Sequence, residues 1–251
     1  MAASRGKSWI WSISCVPRLP NQALHAEGPR FFGRRRGKQL RQTGRSLVET
    51  LLPRLAIGQP GPGETLDPAA LFPRPVSAIW LEVGFGGGEH LAWQAAHHSD
   101  VGIIGGEVFL NGIASLLGHL VREDVDNVRI FAEDVRRLLP ALPDACLERV
   151  FVLFPDPWPK KRHADRRFIG ADNLDSLSRL LADGGELRIA TDDAVYKDWA
   201  REQMAARADF IDATIDAAVK SEDWPPTRYE AKAREQGREP IFLRYSRRPR
   251  G

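Results

Sequence analysis

Apolar residues along this chain gather into short unbroken runs separated by amphipathic stretches, as expected when buried strands alternate with helices. Val76–Val83 is the first such run, and it ends in a glycine cluster, Gly84, Gly86, Gly87 and Gly88. A helix is predicted to follow to about His98, then a strand over Val101–Gly106 that closes on Glu107. The pattern continues with a helix over Leu110–Arg122, a strand over Val128–Ala132 leading into Glu133 and Asp134, and a strand over Arg149–Phe154. A helix from about Arg167 to Leu181, stopped at Gly184–Gly185, precedes the strand Glu186–Ala190, which runs into Thr191, Asp192 and Asp193. This alternation predicts an α/β fold: a doubly wound, mostly parallel sheet with helices on both faces. Ligand sites in such folds lie beyond the carboxyl ends of the strands.

Upstream of that domain the pattern changes. Residues 29–75 read as a basic arm, a short helix and a Pro/Gly linker. Arg30, Arg34, Arg35, Arg36, Lys38, Arg41 and Arg45 occur with no acid among them, which suits either a solvated arm or one that faces phosphate. Leu47, Val48, Leu51, Leu52 and Leu55 recur at helical spacing within Ser46–Leu55, and Gly58–Pro75 is rich in Gly and Pro. Residues 1–28 are expected to be a disordered tail, or upstream sequence translated from a misassigned start. Their prolines, and the lack of an apolar core of about 7–15 residues, argue against a targeting peptide.

Composition narrows the class. A chain of 251 residues, 43% hydrophobic and 27% charged, fits one sizeable domain with an extension and excludes a disordered protein. The net charge of only +3 means that any nucleic-acid role must come from clustered charge. No apolar run approaches the roughly 18 residues of a membrane span, because Glu107 and Asp156 close the best candidates. Cys15 and Cys146 cannot build a disulfide framework, no CxxC or HExxH occurs, and His97 and His98 point in different directions on a helix. Metal-free chemistry in the cytoplasm is expected.

The predicted topology gathers Glu82 with its glycine loop, Glu107, Asp134 and Asp156 at the ends of four strands around one crevice. Glycines let the backbone turn tightly and approach a ligand, and an acid ending the second strand accepts ribose hydroxyls. A nucleoside-bearing cofactor is implied. In the dinucleotide pattern G-x-G-x-x-G the third glycine's place is taken by Glu89. E-x-G-x-G-x-G fits better and resembles the S-adenosylmethionine-dependent methyltransferases, whose cofactor has no phosphates and carries a sulfonium cation.

Pro155-Asp156-Pro157-Trp158 resembles the acid-Pro-Pro-aromatic motif of methyltransferases acting on nitrogen of planar bases, with Trp158 as a stacking face. The plainer reading has Trp158 anchoring a loop and Asp156 solvated. Lys160, Lys161, Arg162, Arg166 and Arg167 follow directly, and Thr227–Gly251 adds a basic tail. With the arm, these make three basic clusters, which favours nucleic acid.

In this order and spacing, LEVGFGGGEHL, IIGGEV, FPDPWPKKRH, IATDD and PPTRYEAKA are similar to the tRNA (guanine-N7-)-methyltransferases from about Phe31 to Arg247. The resemblance implies a Rossmann-like methyltransferase domain over residues 76–251 with a basic C-terminal substrate-binding segment. It implies that Glu82, Glu107, Asp134 and Asp156 contact S-adenosyl-L-methionine along the loop of Gly84 and Gly86, with Asp156 also catalytic. Lys160, Asp192, Thr227, Arg228, Tyr229 and Glu230 would bind substrate, and Arg162, His163, Arg166 and Arg167 would touch RNA. The implied reaction is transfer of a methyl group to N7 of a guanine in the tRNA variable loop. No membrane and no obligate protein partner are expected, with a monomer or homodimer as the working form. Gly87 and Pro159 depart from the family's common residues without removing a functional group. A methyltransferase acting on another RNA or on a protein is the alternative.

Overall fold

The computed structural model describes Pro29 and residues 31–251; the expected tail over residues 1–28, with Cys15, and Arg30 of the basic arm lie outside the described residues. The short upstream helix is two helices, α1 (Gln42–Thr50) and α2 (Leu52–Leu55), divided at Leu51. Pro53, which has no amide hydrogen and fixes its own φ, suits the first turn of a new helix rather than the interior of an old one. Val48 and Leu52 are buried against the domain.

The expected linker is tied to the domain. The Ile57 amide donates to the Ile130 carbonyl at 2.8 Å and the Leu66 amide to the Ala141 carbonyl at 2.8 Å, and Phe72 is buried in the core. Pro and Gly left this strap with only the short 3-10 turn Ala69–Leu71 but did not keep it off the sheet.

The strands are β1 (Ala78–Val83), β2 (Val101–Gly106), β3 (Val128–Phe131), β4 (Leu147–Leu153), β5 (Leu181–Thr191), β6 (Phe210–Asp212) and β7 (Ile241–Arg247). They form one seven-stranded sheet in the order β3-β2-β1-β4-β5-β7-β6. The five strands β1 to β5 run parallel to one another, and β7 pairs antiparallel with both β5 and β6. The chain order reverses between β1 and β4, which is where a doubly wound sheet opens a crevice.

Alternation along the strands divides the core between two faces. Ile79, Leu81, Val150, Val152, Leu187 and Ile189 pack on one side with α5 (Ala171–Leu180) and α6 (Ala194–Ala205). Trp80, Ile103, Phe151 and Leu153 pack on the other with α1, α2, α3 (Glu89–His97) and α4 (Leu110–Glu123). Burying each such side chain contributes about 1.5–3 kcal/mol. No helix among the described residues is long and apolar enough to cross a membrane.

Two boundaries differ from the sequence pattern. Helix α5 begins at Ala171, because Arg167 and Gly170 are extended. It also ends at Leu180, and the chain passes straight into β5, so Gly184–Gly185 do not stop it. They lie where the β4–β5 register jumps from Leu147–Leu181 to Arg149–Glu186, and Gly184 supplies the φ of +80° at that irregularity.

Candidate active site

The loop after β1 takes left-handed φ at alternate residues: Gly84 (66°), Gly86 (55°) and Gly88 (80°). These are values glycine adopts without steric cost. The Gly84 amide donates to the Gly106 carbonyl at 2.8 Å. The Gly86 amide donates to Glu107 Oε2 at 2.8 Å. Gly88 caps α3, and buried Phe85 anchors the turn between them. The loop is thus pinned to the end of β2.

Glu107 accepts three amide hydrogens, from Gly86 on Oε2 and from Val108 and Phe109 on Oε1 at 2.8 and 2.9 Å. Burial still pushes its carboxyl above the ordinary range; the amides act the other way, and the charge of Asp156 adds to the upward shift. Asp134 caps the turn Val135–Arg137 and holds the Arg136 guanidinium through both oxygens, with Nη2 to Oδ2 at 2.6 Å. Glu107, Asp134 and Asp156 line one cavity of about 460 Å³ at the carboxyl ends of β1 to β4, together with Gly84, Gly86 and Tyr229.

Glu82 does not join them. It is 3% exposed beneath the glycine loop and its Oε2 lies 2.7 Å from His90 Nδ1 on α3. Its place in the strand points it at the helix on that face, not at the crevice.

The loop after β4 carries Asp156 exposed on the cavity wall. On either side, Phe154 and Trp158 have left-handed φ of 49° and 43°, which costs a non-glycine residue of order 1–3 kcal/mol. Arg166 lies between two rings, its guanidinium carbon 4.1 Å from the Phe32 centroid and 4.9 Å from that of Trp158. Phe32 comes from the basic arm, which also brings Phe31, Gly33 and Arg34 to the cavity and fixes Arg35 on Glu133 at 2.9 Å.

Arg162 and Lys160 are exposed, and His163 turns its ring edge toward Trp158 at 5.8 Å. Arg167 corrects an expectation. It is 6% exposed and points inward, donating to the Pro157 and Trp158 carbonyls at 3.0 Å each. It therefore cannot meet RNA without giving up both bonds.

The TRYE segment opens α7 (Arg228–Glu235). Thr227 Oγ1 accepts the Glu230 amide at 3.1 Å, and the buried Glu230 carboxylate accepts from Lys220 Nζ at 2.8 Å and from Arg234 at 3.2 Å. Those two residues, expected to bind substrate, hold the turn that opens α7. Tyr229 reaches the cavity, and its ring would lie 2.8 Å from a Cβ placed on Gly86. Arg228 lies 3.7 Å from Glu89, and Asp192 pairs with Arg238 at 3.0 Å.

Several residues escaped sequence reasoning. Gly112 in α4 makes room for the Gly86 carbonyl; a glycine near the start of an amphipathic helix was the available signal. Phe32 and Arg136 carried no signal, since one stands in an arginine run and the other follows a strand-end acid. Behind the crevice, buried Arg188 pairs with Glu186 at 2.9 Å and Asp223 at 2.8 Å.

The family described as a putative methyltransferase matches residues 77–243. The chain is 59% identical over 228 residues to the tRNA (guanine-N(7)-)-methyltransferase of Paramagnetospirillum magneticum, covering 90% of this chain and 95% of that protein. It is 53% identical over 229 residues to the tRNA (guanine-N(7)-)-methyltransferase of Rhodospirillum rubrum, covering 89% of this chain and 90% of that one. Among solved structures, the 16S rRNA methyltransferase KamB superposes with a TM-score of 0.49 at 14% identity, over 69% of this chain and 89% of that chain.

Proposed function

The chain belongs to the tRNA (guanine-N(7)-)-methyltransferases, and from that premise we propose that its target is a guanine in the variable loop, presented to Asp156. It is an S-adenosyl-L-methionine-dependent enzyme that methylates N7 of guanine in tRNA. The cavity fits this donor: about 460 Å³ lies within the usual range for small-molecule sites, roughly 300–1,000 Å³. A glycine wall without Cβ atoms and half-buried Glu107 at the end of β2 supply the close approach and the hydroxyl acceptor a nucleoside needs. When bound, the donor supplies an electrophilic methyl carbon on a sulfonium sulfur.

The protein's part is alignment and charge. Guanine N7 carries a free lone pair, so no general base is required before attack. Asp156 accepts the N1 and N2 protons of the guanine edge and stabilises the cationic product. Glu107 and Asp134 hold the donor's ribose and base, with Gly84 and Gly86 as the loop against it. Glu82 acts from beneath through His90. Tyr229 and Arg228 receive the substrate from α7, supported by Thr227 and Glu230. Lys160, Asp192, Arg162, His163 and Arg166 form the rim that meets the RNA. The enzyme acts in the cytoplasm, as a monomer or homodimer without an obligate protein partner.

The observation that carries this reading is Asp156 itself. It is an exposed carboxylate with no hydrogen-bond or ion-pair partner among the described residues, on the same cavity wall as Glu107. The test is methyl transfer from labelled S-adenosyl-L-methionine to unmodified tRNA, beside a transcript whose variable-loop guanine is adenine. Label in the first and none in the second is expected. Equal label in both moves the target elsewhere, and wild-type turnover by Asp156→Asn removes the role given to Asp156.

A further inference from the structure

We propose that Arg167 is a positioning residue that fixes the Asp156 loop for the reaction. The inference rests on the methyl-transfer reading above. Asp156 lies between Phe154 and Trp158, whose φ values of 49° and 43° are ones a bulky L residue holds only when its surroundings enforce them. The loop cannot enforce them alone. Pro155, Pro157 and Pro159 have no amide hydrogen to donate, so the loop is poor in internal bonds and its carbonyls need a donor from elsewhere.

Arg167 is that donor. Its Nε reaches the Pro157 carbonyl and its Nη2 the Trp158 carbonyl, each at 3.0 Å. The guanidinium lies over the Trp199 ring of α6 at 4.7 Å, and Trp199 Nε1 in turn donates to the Ile169 carbonyl. A planar fork bridging two successive carbonyls and stacked on an indole is a geometry lysine cannot reproduce. The carbonyl of the residue directly after Asp156 is one of the two held, so losing the fork releases the catalytic carboxylate. Misplacement of a reacting group lowers turnover more than affinity. A surface arginine on phosphate would do the reverse, and Arg167 is 6% exposed.

The test compares the full-length wild type with Arg167→Met and Arg167→Lys. Three quantities are read: single-turnover methylation at saturating tRNA and donor, the salt dependence of tRNA affinity, and tryptic cleavage after Lys160, Lys161 and Arg162 with no ligand present. In Arg167→Met the rate constant falls at least about tenfold and cleavage accelerates, as expected for lost alignment. KM for tRNA stays within about threefold and the salt slope is unchanged, because no phosphate contact is removed. Arg167→Lys recovers part of the rate through one carbonyl bond.

Wild-type rate and wild-type cleavage in Arg167→Met overturn the proposal. So does a raised KM with a salt slope smaller by about one phosphate and an unchanged rate. Should Arg167→Met fail to fold, Arg167→Lys with both wild-type rate and wild-type cleavage overturns it equally. If the wild type methylates no tRNA, the substrate reading fails, while the cleavage comparison still decides Arg167.

Discussion

The Gly86 carbonyl oxygen occupies the space where a side chain on Gly112 would begin: a Cβ there would fall 2.1 Å away. Helix α4 and the glycine loop are thus in backbone contact across the floor of the cavity. The contact also sets the height of the Gly86 amide that Glu107 accepts.

Gly112→Ala therefore must push the loop or the helix aside. Overpacking of this kind costs about 1–3 kcal/mol of stability. Affinity for S-adenosylhomocysteine should fall roughly tenfold or more, since about 1.4 kcal/mol is a factor of ten. Calorimetric titration and a thermal melt measure the two effects, and unchanged affinity would show that the loop height does not matter.

Acidification should weaken cofactor binding early. Burial holds the Glu107 carboxyl above the ordinary range, against its three amide partners, so it takes up a proton at a less acidic pH than a solvated glutamate. Once protonated, it no longer accepts from Gly86, Val108 and Phe109 as a carboxylate. Affinity for S-adenosylhomocysteine, which lacks the sulfonium charge, is expected to decline before pH has fallen to 4.5, the ordinary value for a glutamate. A flat profile from neutral to that pH would contradict this role for Glu107.

Asp223 gives stability a different pH dependence. Its burial acts upward, but hydrogen bonds from Arg188 and Ser221 and the charges of Arg188 and Arg149 outweigh it and hold the carboxyl well below the ordinary range. A carboxyl lower in the folded than in the unfolded chain adds stability that is complete above the unfolded pKa and is lost as pH falls through the folded one. Asp223→Asn should cost about 1–2 kcal/mol at pH 7, at the lower end for a charged hydrogen bond because Asp223 is partly solvated. The gap to wild type should close in strong acid. Urea unfolding at pH 7 and again in acid well below the ordinary carboxylate range distinguishes this from a gap that stays constant.

Thr227→Val separates capping from substrate contact. Losing the bond to the Glu230 amide should lower stability by about 1 kcal/mol, the usual worth of an N-cap. KM for tRNA should change little. An intact melting temperature with a tenfold higher KM would return Thr227 to the substrate surface implied by the family resemblance.

Much of this protein is written locally. Short unbroken apolar runs such as Val101–Gly106 and Val150–Phe154 suit strands covered on both faces. A parallel sheet of such strands puts whatever follows them at one edge. Glu107, Asp134, Asp156 and the glycines were therefore legible as a group before any coordinates. The β7–β6 addition was not, because its strand Ile241–Arg247 carries Arg244, Ser246 and Arg247 and no glycine signal. Its pairing with β5 and β6 makes it a strand.

The sequence by itself determined the order of strands and helices from β1 to β5, the family and the residues that stand at the strand ends, because burial periodicity and loop chemistry depend on near neighbours. Tertiary structure alone decided where the polar side chains point. Glu82 turns to His90, Arg167 turns inward to the Asp156 loop, Arg188 finds Asp223, and Phe32 closes over Arg166 beside Trp158. Two of these pairs, Arg188 with Asp223 and Phe32 with Arg166, lie far apart along the chain. A charged or aromatic side chain takes its direction from whichever neighbour satisfies it once the chain is packed.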